Sequence, residues 1–178
     1  RSIDRALYRP PYRSEATTKP VPLGHRVVTR HSEQPTHRVA FVCVQNAGRS
    51  QMAAALAERE RARRDAADRI EIVTGGTRPA DRVDDVVVEA MAELDIDLSD
   101  RTPREVTPDE LRAMDLVVTM GCSASDVCPA AWNGESRDWG LDDPDDKPLE
   151  AVRAIRDEID DRVAALFDDL VSETPSAE

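Results

Sequence analysis

Lysine, aromatic side chains and long apolar runs are all scarce in this chain of 178 residues. Only Lys19 and Lys147 are lysines, and acidic residues outnumber basic ones by 36 to 24, which gives a formal net charge of -12. A surface this acidic excludes nucleic-acid binding through a broad basic face. It is instead typical of a halophile-like protein, kept soluble in a very salty cytosol by its carboxylates.

No apolar run approaches the ~18 residues that are needed to span a bilayer, so no membrane-spanning segment is predicted. The first thirty residues lack a continuous apolar stretch and do not resemble a secretory signal. The chain has 3 cysteines, an odd and small number that does not suggest a secreted disulfide framework. We therefore expect a reducing, cytoplasmic location, in which the cysteines serve chemistry rather than cross-linking.

Composition divides the chain into three parts. Residues 1–37 are rich in proline, contain all three histidines and carry a net positive charge, which predicts a flexible N-terminal arm. Residues 38–171 have regular apolar patterns and form the predicted folded domain, and residues 172–178 form a predicted disordered tail. None of the histidines is expected to be catalytic; they are His25, His31 and His37.

Within residues 38–171, patterns of strands and helices alternate. An apolar run at 39–42 predicts a buried strand, the alternating residues 70–74 predict a second strand, and residues 116–120 predict a third. The second strand ends at a predicted turn, Gly75-Gly76. Helical periodicity covers about 50–64, 84–94 and 148–170, and Thr107-Pro108 followed by two acids marks another helix start. This alternation predicts an α/β fold with an open, mainly parallel sheet and helices on both faces, whose ligands bind outside the carboxyl ends of strands.

The strongest chemical signal follows the first predicted strand and leads into a predicted helix. A short loop at this place can curl so that successive backbone N–H groups point inward and bind a tetrahedral oxyanion. The helix adds its positive amino-terminal end, and an arginine at its start can hold two anion oxygens. The segment reads Cys43-Val44-Gln45-Asn46-Ala47-Gly48-Arg49-Ser50.

Cys43 lies at the base of the same positive field, which favours its thiolate form and makes it a catalytic nucleophile. Ser50 is suited to hydrogen-bond that thiolate, and Asn46 is suited to hold the loop in its curl, because asparagine tolerates unusual backbone dihedrals. The alternative is a buried, inert cysteine beside a surface arginine. The order of strand, cysteine, five residues, Arg49-Ser50 and helix argues against that alternative.

With this loop, the sequence resembles the low-molecular-weight tyrosine phosphatase superfamily, and more closely the arsenate reductases that share its fold. The similarity covers about residues 38–171 and implies a four-stranded parallel sheet with helices on both faces. Besides the loop, it rests on Gly75-Gly76-Thr77-Arg78-Pro79, Val118-Thr119-Met120-Gly121-Cys122, Cys128-Pro129 and Trp139-Gly140-Leu141-Asp142-Asp143-Pro144.

The resemblance implies a relay of three thiols, in which Asp143 is the general acid. Cys43 attacks arsenate and displaces water, and Cys122 then attacks Cys43, which releases arsenite and leaves a Cys43–Cys122 disulfide. Cys128 attacks Cys122, so that a Cys122–Cys128 disulfide forms and Cys43 is freed. A thioredoxin-like or glutaredoxin-like protein, or a low-molecular-weight thiol, restores the reduced pair.

The spacing of the later cysteines leaves both kinds of reductant open. Five residues separate Cys122 from Cys128, whereas six are usual in thioredoxin-coupled members of the family. The start Thr119-Met120-Gly121-Cys122 is similar to members that use a low-molecular-weight thiol. No cofactor is expected, and no metal either, because two cysteines without a nearby histidine supply too few ligands.

Three other functions are compatible with parts of the pattern. A phosphatase that hydrolyses phosphoesters needs only the nucleophile, Arg49 and an acid, and Cys122 and Cys128 are then buried apolar residues. Family phosphatases tend to carry tyrosines after the Asp-Pro pair, where this chain has residues 145–147, Asp-Asp-Lys. A phosphocarrier with a phosphocysteine does not need Arg49-Ser50, and a non-catalytic module would bind arsenite through the three thiols. The expected ligands are thus arsenate, phosphate or a phosphoester.

Overall fold

The computed structural model describes residues 37–172, so residues 1–36 of the predicted arm and residues 173–178 of the predicted tail lie outside the described residues. Four parallel strands form one sheet in the order β2-β1-β3-β4. This confirms the predicted four-stranded parallel sheet. The strands are β1 (His37–Cys43), β2 (Ile70–Gly76), β3 (Leu116–Met120) and β4 (Glu135–Asp138).

The described residues also form five helices. The predicted start at Thr107 is present as a capping box, in which the Thr107 side chain accepts from the backbone N–H of Glu110 and the Glu110 carboxylate accepts from that of Thr107. Among residues 37–172 no helix is long and apolar enough to cross a membrane. The helices are α1 (Arg49–Arg63), α2 (Asp85–Ala92), α3 (Pro108–Arg112), α4 (Ala124–Val127) and α5 (Leu149–Ser172).

Side chains that alternate along β1 enter two separate apolar clusters, because successive residues of a strand point to opposite faces. Phe41 and Cys43 pack in the larger cluster, with α1, α2 and α5. Ala40 and Val42 pack in the smaller cluster on the other face, which includes Leu111 of α3. Helices therefore cover both faces of the sheet, and β1 runs through the middle of the core.

The order of the strands explains why the nucleophile loop lies where it does. From β1 the chain crosses to β2 on one side and later returns to β3 on the other side. The carboxyl end of β1 is therefore a topological switch point, where the connections leave in opposite directions and open a crevice for a ligand. Cys43 is the last residue of β1 and pairs with Gly76 and Met120.

Three details differ from the sequence prediction. His37 belongs to β1, not to the arm, but it begins the strand and is about 20 Å from the other end at a rise of about 3.3 Å per residue, which keeps it away from Cys43. The expected turn Gly75-Gly76 is the end of β2. The patterns did not locate β4, because its residues are charged or polar and mostly exposed.

Candidate active site

The loop between β1 and α1 has its backbone carbonyls turned away from its centre. Four of them accept hydrogen bonds of 2.9 to 3.2 Å from backbone N–H groups in the segment 77–84. Because the C=O and N–H of a trans peptide unit point in opposite directions, the N–H groups that follow these carbonyls face inward. This is the donor arrangement that an oxyanion nest requires. The accepting residues are Cys43, Val44, Gln45 and Ala47.

The amino-terminal end of α1 completes the positive side of the loop. Gly48 is the N-cap and forms no side-chain cap, and the first turn of α1 contains no acidic residue. No acidic side chain of the helix itself therefore offsets the partial positive charge of this end. Arg49 and Ser50 begin the helix and are buried, so both side chains lie against the loop.

Cys43 is 3% exposed, and its sulfur lies between two polar groups of the loop. The backbone N–H of Asn46 donates to Cys43 Sγ at 3.1 Å, and Ser50 Oγ lies 2.9 Å from the same sulfur. These two contacts fix the position of the Cys43 sulfur at the base of the loop.

Asn46 is completely buried, and a network of hydrogen bonds holds its side-chain amide. Its Nδ2 donates to Ser50 Oγ at 2.8 Å and to Thr74 Oγ1 at 2.9 Å. Its Oδ1 accepts from Gln51 Nε2 at 3.1 Å and from the backbone N–H of Arg104 at 3.0 Å. Two donors and two acceptor positions are thus all used. The backbone of Asn46 is left-handed, with φ of 52°, which asparagine tolerates better than most residues.

The end of β2 is bare backbone where the loop packs against it. A Cβ at Gly76 would lie 2.6 Å from the carbonyl oxygen of Val44 and 3.0 Å from the nitrogen of Asn46. Both distances are shorter than ordinary carbon contacts, so a side chain at this position would displace the loop. Gly76, which was expected to belong to a turn, instead provides room for the nucleophile loop.

Arg49 and Asp143 are in direct contact, although 94 residues separate them in the chain. Arg49 Nη2 donates to Asp143 Oδ2 at 2.6 Å, and Nη1 donates to the carbonyl oxygen of Leu141 at 3.1 Å. A guanidinium has five N–H donors, so these two contacts leave others for an anion. Arg49 is buried, whereas the Asp143 side chain is 57% exposed, which makes its carboxylate the more mobile partner.

The segment that carries Asp143 is anchored on both sides of it. The Trp139 ring packs on Phe41 with 5.8 Å between ring centroids, and the backbone N–H of Trp139 donates to the carbonyl oxygen of Thr119 at 2.8 Å. On the other side, Pro144 lies directly on Gly48, since a Cβ there would be 2.5 Å from Pro144 Cγ. The acid is thereby kept next to the nucleophile loop.

A second carboxylate, that of Asp84, lies beside the same part of the loop. A Cβ at Gly48 would be 3.4 Å from Asp84 Oδ2, and the backbone N–H of Asp84 donates to the loop. Burial raises the pKa of Asp84 above its usual value, and the negative charges of Asp145 and Asp143 raise it further. The approach to the loop is therefore acidic on this side.

Gly121 follows β3 and lies against the guanidinium of Arg49. Its φ is 76°, in the left-handed region that favours glycine. A Cβ at this position would be 2.7 Å from Arg49 Nη1 and 2.9 Å from Nη2. Gly121 therefore provides both the backbone bend that leads to Cys122 and the space that Arg49 occupies.

All three cysteines are free thiols, but they do not share one face of the sheet. Cys43 packs in the larger cluster, whereas Cys122 and Cys128 are half-buried and pack against the smaller one. Cys122 Sγ lies 3.6 Å from the carbonyl oxygen of Val42, the residue before the nucleophile. Burial raises the pKa of Cys122 and of Cys128, and the charge of Cys43 raises that of Cys122 further.

The site thus contains residues that the sequence patterns did not single out. The contacts of Gln51, Thr74 and Arg104 with Asn46 join parts of the chain that are up to 58 residues apart. No local spacing predicts such contacts. Gly121 lay within a segment that carried the resemblance, but its packing on Arg49 depends on the strand order. Within residues 37–172 no group of three or more metal-binding side chains is found.

A family model agrees with this geometry. The model for the low molecular weight phosphotyrosine protein phosphatase family matches residues 38–176. The match begins in β1 and includes the nucleophile loop, both later cysteines and α5. It therefore spans all the residues that form the candidate site.

Individual relatives indicate a narrower group. A protein of Halobacterium salinarum that is provisionally named an arsenate reductase is 57% identical over 138 residues, which is 78% of this chain and 96% of that protein. Arsenate reductase 1 of Bacillus cereus is 35% identical over 126 residues, or 70% of this chain and 90% of that protein. The structure of a thioredoxin-dependent arsenate reductase of Corynebacterium glutamicum matches with a TM-score of 0.66 and 35% identity, and the match covers 80% of this chain and 65% of that one. This chain thus spans slightly less than two thirds of the solved chain, but nearly all of the two curated relatives.

Proposed function

The chain belongs to the low molecular weight phosphotyrosine protein phosphatase family, and we propose that it is an arsenate reductase that uses a relay of three thiols. The observation that carries this proposal is a pair of further thiols in the segment that follows β3, the strand next to the one that ends at the nucleophile. Cys122 follows the strand that pairs with the end of β1, and Cys128 packs in the same apolar cluster as Cys122. Hydrolysis of a phosphoester requires neither of them.

In the first step the Cys43 thiolate attacks arsenic. The inward N–H groups of the loop and the guanidinium of Arg49 bind the arsenate oxygens and stabilise the charge that develops on them. An S–As bond forms and an As–O bond breaks, and Asp143 supplies the proton with which the oxygen leaves as water. The contact of Asp143 with Arg49 supports the proximity that this role requires, and the carboxyl group must leave the guanidinium before it protonates the departing oxygen.

In the second step Cys122 attacks the sulfur of Cys43. A Cys43–Cys122 disulfide forms, the S–As bond breaks, and its electron pair stays on arsenic, so that As(V) becomes As(III) and leaves as arsenite. Cys128 then attacks Cys122, and the thiolate of Cys43 is released. Two external thiol groups supply the two electrons that reduce the Cys122–Cys128 disulfide. A reducing cytoplasm provides such thiols.

The charges around Cys122 favour this order of events. Burial keeps the pKa of Cys122 above that of a free thiol, and the thiolate of Cys43 raises it further. Once the sulfur of Cys43 is bound to arsenic, it is no longer a thiolate, and this contribution disappears. Cys122 therefore becomes a better nucleophile after the adduct has formed.

The geometry also requires a movement between the two steps. Because Cys122 packs on the opposite face of the sheet from Cys43, its sulfur must leave the carbonyl of Val42 before it reaches the adduct. Gly121, with its left-handed backbone, adjoins Cys122 on the strand side. The short segment 121–128 is thus the part of the site that we expect to rearrange.

The reductant is a thiol, and its class remains open between a thioredoxin-like or glutaredoxin-like protein and a low-molecular-weight thiol. The solved relative from Corynebacterium glutamicum is thioredoxin-dependent, which favours the protein reductant. Phosphoester hydrolysis is the second candidate function, because Cys43, Arg49 and Asp143 alone meet its requirements. The family to which the chain belongs favours it as a side activity.

The decisive experiment is Cys122→Ser, assayed for arsenite formation and for hydrolysis of p-nitrophenyl phosphate. We expect arsenite release to stop with a thioredoxin-type reductant, because no thiol within the protein can then resolve the Cys43 adduct. Phosphatase activity, if the parent has it, should persist, because water resolves a phosphocysteine. Cys128→Ser should complete one turnover and stop as a Cys43–Cys122 disulfide, which peptide mass spectrometry without reductant detects.

The controls separate the reductase from its rivals. Cys43→Ser should lose both activities, because a serine hydroxyl is almost wholly protonated at neutral pH and is a poor nucleophile. A Cys122→Ser variant that reduces arsenate at the parent's rate, with no small thiol present, would refute the relay. Stoichiometric arsenite binding by the parent without any turnover would favour the non-catalytic module.

A further inference from the structure

We propose that Gln51 and the backbone N–H of Arg104 are positioning groups, which orient Asn46 so that the Ser50 hydroxyl must donate its hydrogen to Cys43. The proposal rests on Cys43 as the nucleophile of the proposed function, but it concerns the reactivity of the thiol itself. Neither group touches the sulfur, and both act through the side chain of Asn46.

One of the two donors to the Asn46 side chain, the backbone N–H of Arg104, cannot exchange its role for that of an acceptor. A side-chain amide can turn by 180° and exchange its oxygen and nitrogen, whereas a backbone N–H always donates. The N–H of Arg104 lies 3.0 Å from the side-chain oxygen of Asn46. If the Asn46 amide were turned, two donors would face each other at a part-buried position, and the fully buried Asn46 would lose its acceptor contact there. Arg104 therefore fixes Oδ1 of Asn46 on its own side.

Gln51 strengthens the same orientation. Its side chain is 2% exposed, and its Nε2 donates to Asn46 Oδ1 at 3.1 Å. Its other amide atom, Oε1, is buried and has no hydrogen-bond partner within residues 37–172. The orientation of Gln51 is therefore set by Asn46 and not by a partner of its own oxygen.

The consequence reaches the nucleophile through Ser50. With Oδ1 of Asn46 fixed, Nδ2 must point to Ser50 Oγ and donates to it at 2.8 Å. The hydroxyl of Ser50 has one hydrogen, and its oxygen already accepts from Asn46, so the hydrogen is directed to Cys43 Sγ at 2.9 Å. Together with the N–H of Asn46, the sulfur then receives two donors, which stabilises the thiolate.

Arg104 itself is held from outside the nucleophile loop. Its carbonyl accepts from the backbone N–H of Gly76 at 2.9 Å, which attaches this part of the chain to the end of β2. Nearby, Arg101 forms an ion pair with Glu58 of α1. The segment between α2 and α3 thus positions the thiolate, although it contributes no atom to the nest.

The first test measures the pH profile of Cys43 alkylation by iodoacetamide, in a Cys122→Ser/Cys128→Ser protein that retains one thiol. In Gln51→Glu a carboxylate replaces the donor. Because a hydrogen bond to a charged group is about twice as strong as a neutral one, we expect the carboxylate to outweigh the Arg104 N–H and to turn Nδ2 of Asn46 toward itself and Oδ1 toward Ser50. Ser50 then donates to Asn46 and not to the sulfur. We expect the midpoint of the profile to rise by about one pH unit. A profile that does not move, in a variant with the parent's circular dichroism, would overturn the role of Gln51.

The negative charge of Gln51→Glu could also act directly on the thiolate, and Ser50→Ala distinguishes the two routes. If the effect passes through the hydroxyl, Gln51→Glu adds a shift of less than about 0.3 pH units in the Ser50→Ala background. An equal shift in both backgrounds would mean that the charge acts through space, and the proposal would fail.

A matched pair at Arg104 tests the backbone donor independently and keeps the proposal falsifiable if Gln51→Glu does not fold. Arg104→Ala keeps the N–H and loses the side-chain contacts with the Glu110 carboxylate and the Glu105 carbonyl, which lie outside the Asn46 network, so its midpoint should stay within about 0.3 pH units of the parent. Arg104→Pro removes the N–H, and its midpoint should rise by about half a unit or more. Equal midpoints in two folded variants would refute the role of the Arg104 donor. None of these measurements uses arsenate, so their failure is distinct from a failure of the proposed function.

Discussion

Gly121→Ala is the substitution for which the structure gives the sharpest expectation. The new methyl group would lie 2.7 Å from Arg49 Nη1, 2.9 Å from Nη2 and 3.0 Å from Cζ. It therefore meets the face of the guanidinium, and not the flexible end of an exposed side chain, because Arg49 is buried and tied to Leu141 and Asp143. In addition, φ at residue 121 is 76°, which alanine adopts only with strain.

Gly121→Ala should lower both the stability of the fold and the rate of arsenate reduction. The left-handed backbone costs alanine about 1 to 2 kcal/mol, which corresponds to a decrease in Tm of about 2 to 8 °C for a chain of this length. Relief of the clash requires the guanidinium to move by about 0.8 Å, since its nearest nitrogen would be 2.7 Å from the methyl group and ordinary carbon contacts are about 3.5 Å or longer. A displacement of about 1 Å can lower a rate by about 100-fold, so we expect kcat/KM for arsenate to fall by about 10- to 100-fold.

The assay pairs arsenite formation with a binding measurement that does not involve the neighbouring Cys122. Phosphate should protect Cys43 from iodoacetamide, and mass spectrometry of the peptide that contains Cys43 reports the protection. In Gly121→Ala the phosphate concentration for half-protection should rise by about tenfold or more. Gly140→Ala is the matched control, because a Cβ there meets nothing within 4 Å, and it should match the parent in both measurements.

A Gly121→Ala variant that keeps kcat/KM and phosphate protection within about threefold of the parent would refute this reasoning. It would mean that Arg49 does not bind the anion from the position it occupies beside Gly121. A loss of arsenite formation with unchanged phosphate protection would instead assign the effect to Cys122, and Arg49 would not be the cause.

Arg49→Lys should lower arsenate reduction by about 100-fold or more, because a point charge cannot replace the two-pronged guanidinium contact; steady-state kinetics checks this, and a loss below threefold would contradict it. Since the pKa of Cys122 is raised by burial, the second step should accelerate with pH, by about tenfold per unit until Cys122 ionises; rapid-quench detection of the Cys43–Cys122 disulfide measures this, and a flat profile would contradict it. Asp84→Asn should raise Tm at pH 7 by about 1 to 3 °C, because the folded pKa of Asp84 lies above its unfolded value of 3.8, so that its stabilising protonated form is lost as pH rises. Thermal scans should show the difference vanish near pH 3, where Asp84 is protonated in both states, and an equal difference at both pH values would contradict it.

Much of the fold was predictable because its core elements follow simple patterns. The buried strands β1 and β3 contain apolar runs, β2 alternates along its first residues, and α5 repeats its apolar residues at helical spacing. The sequence patterns did not predict the position of strand β4, because edge strands are often polar and its four residues are charged or hydroxylated. The helix α4 has only four residues, too few for any periodicity.

The candidate site was predictable where its residues are consecutive and not where distant segments meet. The loop from Cys43 to Ser50 is one run of sequence, and its spacing expresses its chemistry directly. The resemblance named Asp143, Cys122 and Cys128, but it did not reveal that the later thiols pack on the opposite sheet face from Cys43. The contacts of Asn46 depend on how three separate segments converge, and no pattern within one segment encodes that.

The outward carbonyls of the nucleophile loop have a consequence for selectivity. Because residues 77–84 hold the loop open from behind, its inward donors are in place before any anion arrives, and little ordering entropy is lost on binding. Such a rigid loop recognises the tetrahedral shape and charge that arsenate and phosphate share. It therefore has no means of excluding phosphate. Discrimination must then arise after binding, in the thiol exchange that arsenic undergoes and phosphorus does not. Phosphate should accordingly act as a competitive occupant, and the rate of turnover should depend on the ratio of the two anions rather than on arsenate alone.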